Sequence, residues 1–99
     1  MISKTQQNIF EQINGKELNF ARFKVMTEDK NKVHIKKGNK HMIIKYNESN
    51  DLYDLEQLTI NTKTFSVTKN NQLDSVYFDD LKNIIQTFFN FEYVMERLI

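Results

Sequence analysis

Ninety-nine residues suit a single domain, and a chain of this size buries roughly two-thirds of its extended surface, enough for one modest core without staples. The absence of cysteine excludes disulfides, thiolate nucleophiles and thiolate metal sites, and two glycines leave no room for a glycine-rich phosphate loop. A net charge of +1 excludes a uniformly polycationic binder, but the charge is uneven: between Arg22 and Lys45 only Glu28 and Asp29 oppose eight Lys/Arg, and the rest of the chain is acidic. Abundant Asn, Lys, Ile and Phe, all with AT-rich codons, point to an AT-rich genome. No segment resembles a signal peptide or approaches the ~20 apolar residues of a membrane span. The polar start from Met1 to Asn8 reads as an intact terminus, so the expectation is a cytoplasmic protein, in a host cell's cytoplasm if viral, with no membrane partner.

In chain order, the pattern predicts an N-terminal helix within 1–15, an antiparallel sheet of four to five strands within 20–70, and a C-terminal amphipathic helix with an apolar tail within 75–99. Ser3 and Gln6 are spaced as a capping box for a helix from Lys4 to Ile13, and Gly15 is the expected stop. Leu18 to Met26 fits either periodicity; a turn and then a strand near Arg22–Thr27 is the reading adopted. Lys32–Lys37 and Lys40–Lys45 flank Gly38-Asn39, a two-residue hairpin turn. That turn sets Lys37 opposite Lys40, Lys36 opposite His41, Ile35 opposite Met42, His34 opposite Ile43, Val33 opposite Ile44 and Lys32 opposite Lys45. Val33, Ile35, Met42 and Ile44 then form a core face. After a loop at Asn47–Asp51, Leu52–Ile60 reads as a fourth strand, with Leu52, Leu58 and Ile60 sharing a parity that Asp54 and Glu56 interrupt. Thr64–Lys69 reads as a fifth, with Phe65 and Val67 facing the core. Asp74 or Ser75 would cap a last helix whose stripe is Tyr77, Leu81, Ile84, Ile85, Phe88 and Phe89. The expected fold is α+β, an antiparallel meander with the helices on one face.

The outer hairpin face, Lys32, His34, Lys36, His41 and Lys45, is the candidate partner- or anion-binding face, because lysines directly opposite one another cost free energy unless an anion sits nearby. His34 and His41 are diagonal neighbours. Two histidines without a carboxylate close in sequence make a poor metal site, and lysine neighbours disfavour the imidazolium form. Asp79 and Asp80 point about 100° apart on a helix, so they are not an acid/base pair. Asp51, Asp54 and Glu56 lack the glycine and terminal Glu of a calcium loop. The serines carry no nucleophile motif. No catalytic centre, metal or cofactor is therefore expected. Phe91, Tyr93, Val94, Leu98 and Ile99 exceed what one small core needs, and form the candidate oligomer interface, packing across a two-fold dimer or onto a neighbouring element.

From Asn19 to Phe89 the chain resembles small uncharacterised proteins encoded by tailed phages and mobile elements of AT-rich bacteria. The matching features are Phe23-x-x-Met26, the hairpin ending in Ile43-Ile44-Lys45, Asp51-Leu52-Tyr53, and Val76-Tyr77-x-Asp79-x-Leu81-Lys82. The resemblance implies an accessory phage-type protein; with no catalytic centre expected from the residues, the expected role is binding a host or viral macromolecule, with inhibition of a host defence nuclease as one concrete form. The first expectation for the partner is a protein. Nucleic acid ranks second, because lysines without outward aromatics are a poor surface for stacking bases; a minor structural virion component ranks third.

Overall fold

The computed structural model describes residues 2–94. Helices α1 (Lys4–Gln12) and α2 (Gly15–Phe20) precede five strands, β1 (Lys24–Glu28), β2 (Lys32–Lys37), β3 (Lys40–Asn47), β4 (Leu52–Ile60) and β5 (Val67–Val76). One 3-10 turn, Phe78–Asp80, leads into α3 (Leu81–Phe89). The strands form one antiparallel sheet in the order β1-β2-β3-β4-β5. This is the α+β meander that the patterning predicts, and the β2–β3 register agrees pair for pair, from Lys37 opposite Lys40 to Lys32 opposite Lys45.

Ser3 caps α1 through a complete capping box with Gln6. Gln6 is also a buried tie between layers: its Nε2 donates to the carbonyls of Glu28, Asp29 and Lys32 at 2.8–3.1 Å, clamping α1 onto the β1–β2 turn. Gly15 does not stop α1. The reversal falls on Asn14 (φ 52), and Gly15 opens α2, a helix where the patterning predicts a turn. The Phe10 ring lies where a side chain at Gly15 would be, with its nearest atom 2.1 Å from an ideal Cβ. Glycine at this position therefore serves close packing of the two short helices.

The core lies on the inner sheet face. Val33, Ile35, Met42, Ile44 and Leu55 meet Ile9, Ile13 and Leu18 from the first two helices and Leu81, Ile85 and Phe89 from α3. Ile84 and Phe88 pack at its margin. In β4 the inward set is Tyr53, Leu55 and Gln57, the opposite parity to Leu52, Leu58 and Ile60, so Asp54 and Glu56 need no interruption to face outward. The irregularity lies in the β4–β5 pairing instead, where the register shifts twice.

Two expectations are corrected at β5 and α3. The fifth strand starts at Val67 and not Thr64, and Phe65 and Val67 are not core residues: they are 79% and 58% exposed. Thr64–Phe65 belongs to a tight tip in which the Phe65 N–H donates to the Asn61 carbonyl and the Asn61 N–H to the Ser66 carbonyl. Asp74 and Ser75 end β5 instead of capping a helix, and Tyr77, assigned to the helical stripe, is exposed before the 3-10 turn. Alternating residues in a short run cannot distinguish a strand from a turn whose hydrogen bonds close locally. Asn90 ends α3 in the left-handed conformation (φ 52).

Candidate basic interface

The five candidate residues Lys32, His34, Lys36, His41 and Lys45 do share the outer sheet face, but the neighbouring strands split them into two environments. The row across one end of the sheet runs Glu28, Lys32, Lys45, Asp54. Both lysines are thereby flanked by carboxylates, Lys32 also lies 3.6 Å from Asp29, and Glu56 joins Lys32, Lys45 and Asp54 in lining one shallow groove. Two rows away the sequence across the strands is Lys24, Lys36, His41, Leu58, Lys69, with no carboxylate in it. Charge is thus sorted along the strands, not between the two faces. The end with the β1–β2 and β3–β4 turns holds Glu28, Asp29, Glu48, Asp51 and Asp54 against Lys30, Lys32 and Lys45; the strands and turns at the other end, with the β2–β3 turn and the β4–β5 tip, hold Lys24, Lys36, Lys37, Lys40, Lys63 and Lys69.

At the basic end Lys37 and Lys40 are engaged with the helical layer. The Lys37 ammonium lies 4.9 Å from the centre of the Phe23 ring, and Lys40 donates to the Phe88 carbonyl at 2.9 Å. Lys24, Lys63 and Lys69 are exposed and Lys36 is half-buried. Beside them the outer face carries the Ile60–Val67 pair, and the tip carries Phe65. A groove of about 430 Å³ at the tip is lined by Asn39, Thr59, Asn61, Thr62, Lys63, Ser66 and Thr68, hydroxyls and amides with one cation and no carboxylate.

Between the two ends stands a relay that sequence spacing did not reveal. Glu28 Oε1 lies 2.6 Å from His34 Nδ1, and His34 Nε2 lies 2.8 Å from His41 Nδ1. The histidines are diagonal neighbours as the register requires, yet they touch. The carboxylate arrives from β1, six residues before His34, because the antiparallel β1–β2 turn folds it back; the opposition of Glu28 and Lys32 was the signal that could have found it. His41 is only 7% exposed although it lies on the outer face. Burial first, then the charge of His34 and of Lys36, push its pKa below the ordinary histidine value. The His–His bond needs one donor and one acceptor, so the pair keeps it with one added proton and loses it with two. Among the described residues no group of three or more His, Asp or Glu is placed to hold a metal ion.

The candidate oligomer residues divide as well. Tyr93 is 4% exposed, inside this chain's own core, and its hydroxyl donates to the Ile13 carbonyl at 2.6 Å. Phe91 is half-buried with its ring edge-on to Phe23. Val94 is exposed, and its N–H donates to the Glu17 carboxylate. Leu98 and Ile99 lie outside the described residues.

Fold and surface together define a small α+β meander domain with charge segregated along its strands. No family model, curated protein or solved structure matches the chain. Among the described residues no helix is long and apolar enough to cross a membrane.

Proposed function

We propose that this domain is a non-enzymatic binding module that engages a polyanionic macromolecule through the basic end of its sheet. The observation that carries the reading is the Lys24–Lys36–His41–Leu58–Lys69 row, five strands wide and without a carboxylate, beside a tip bearing Lys63. Clustered like charges raise one another's energy and are relieved by an anionic partner. Lys32 and Lys45, which the hairpin alone would include, contribute little, because Glu28, Asp29 and Asp54 already offset them.

Salt elution from an immobilised polyanion such as heparin tests it. Joint replacement of Lys24, Lys36 and Lys69 by Gln should bring elution to markedly lower salt, while Lys32→Gln with Lys45→Gln should shift it little. Equal shifts for the two sets would mean that the whole outer face acts together, and no retention of the wild type at ~50 mM salt, where phosphate-type contacts are strong, would remove the reading.

A further inference from the structure

Resting on that reading, we propose that the polyanion is single-stranded nucleic acid, and that Phe65 is the platform on which a base stacks. Three observations converge at the basic end. The first is Phe65 itself, a large aromatic that is 79% exposed at the tip of the β4–β5 hairpin. It occupies the left-handed region at φ 58, a backbone position where a bulky side chain is a genuine outlier and glycine is the ordinary choice. Packing does not explain why a phenyl ring stands there, because the ring is outside the core.

The second observation is that the tip is pre-organised. Asn61 receives the N–H groups of Lys63 and Thr64 on its side-chain oxygen and that of Phe65 on its carbonyl, so the loop is held by its own hydrogen bonds. An exposed aromatic on a fixed loop loses little freedom when a flat partner stacks on it. The third observation is chemical. Lys24, Lys36 and Lys69 lie in one row on the outer face, Lys63 is two residues from Phe65, and the groove at the tip offers hydroxyls and amides without a carboxylate.

Lysines that attract phosphate together with an exposed aromatic that accepts any base face are the two requirements of sequence-tolerant single-strand binding. A duplex keeps its bases stacked on each other and offers Phe65 no free face. An acidic protein segment would use the lysines but leaves the ring at its strained position without a purpose.

Fluorescence anisotropy with a labelled 15-nucleotide oligo-dT, the same length of duplex, and a labelled poly-glutamate peptide separates these cases. The expected result is that the single strand binds best. With about −0.7 in log K per log salt for each phosphate contact, four lysine contacts predict a slope near −2.8. Phe65→Gly, which suits the backbone and should not impair folding, should weaken single-strand binding about 5- to 150-fold at an unchanged salt slope. Phe65→Trp should restore it. Lys36→Gln with Lys69→Gln should flatten the slope and leave the Phe65 effect in place.

Undiminished binding by Phe65→Gly, or duplex binding as tight as single-strand binding, would overturn the stacking inference while the basic-end reading stands if the lysine variants still lose affinity. Poly-glutamate bound and oligo-dT not bound at ~50 mM salt would overturn nucleic acid as the ligand and keep a polyanion-binding module. Binding of neither probe would overturn both.

Discussion

Phe65 and His41 show how single positions set against local preference carry this molecule's strain and its pH response. A non-glycine residue in the left-handed region costs ~1–2 kcal/mol, and Phe65 pays that cost at an exposed tip with no packing in return. Phe65→Gly should therefore raise stability by about 1 kcal/mol, less the backbone entropy that glycine adds to the unfolded chain, as read from the urea midpoint at constant m. A loss of stability would show that the ring does pack in solution. His41 acts through protons. Its folded pKa lies below the unfolded value of about 6.5, because burial, His34 and Lys36 all oppose its charge. Its contribution to stability is complete above pH ~6.5 and falls as the pH drops from there through the folded value. Stability measured between pH 8 and pH 5 should decline on the acid side, and His41→Gln should flatten that part of the decline. Of the lysines in the same row, Lys36, directly opposite His41 across the β2–β3 pair, is the one whose charge opposes its protonation.

Among the elements, α1 is secured to the sheet by its buried apolar residues Ile9 and Ile13 and also by one amide. Gln6 fills both roles of its position: its oxygen accepts the Ser3 N–H at 3.0 Å and its nitrogen serves three carbonyls of the β1–β2 turn. Leaving a buried polar group unpaired costs about 1–3 kcal/mol, so Gln6→Leu should destabilise by at least that amount in a denaturant titration. Gln6→Glu would answer the carbonyls with another acceptor and should be worse. A change under about 0.5 kcal/mol in the Leu variant would mean that water replaces the amide. The β2–β3 hairpin behaves more conventionally. Ile44 is wholly buried, and Ile44→Ala should cost about 2–5 kcal/mol by lost transfer energy and cavity, a large share of a total near 5–15 kcal/mol.

For the whole molecule, the tail decides how much surface is left over. Phe91 and Tyr93 close the end of the core against Phe23 and Ile13, with the Phe91 and Tyr93 rings edge-on at 5.0 Å. The surplus of apolar residues near the C-terminus is thus partly absorbed within the chain. Tyr93→Ala should lower stability by about 3–5 kcal/mol, as for other large aromatics, with no change in sedimentation coefficient at micromolar concentration. A drop in sedimentation coefficient without loss of stability would return Tyr93 to a contact between copies. Burial pushes the Tyr93 phenol well above the usual tyrosine range, so the Ile13 bond is retained through mildly alkaline pH.

How much of this was legible in the sequence follows from the range of the forces involved. The capping box, the β2–β3 register, the span of β4 and the inward set of the hairpin are governed by residues within a turn or two of each other, and alternation with a Gly-Asn turn is sufficient to define them. Asn14, Asn61 and Ser75 mark the opposite case. Each directs the chain through a positive φ or a local hydrogen bond that leaves no periodic trace, so the patterning predicts a turn at α2, a strand at the tip and a helix cap at the end of β5. The candidate site was half legible for the same reason. A hairpin displays its own lysines, but their electrostatic worth depends on residues delivered by the flanking strands. Only the sheet brings Glu28 and Asp54 beside Lys32 and Lys45, and only the sheet brings Lys24 and Lys69 into one row with Lys36. Local sequence determined which residues could line a face; tertiary pairing decided their net field, because Coulomb interactions sum over neighbours in space regardless of their distance along the chain.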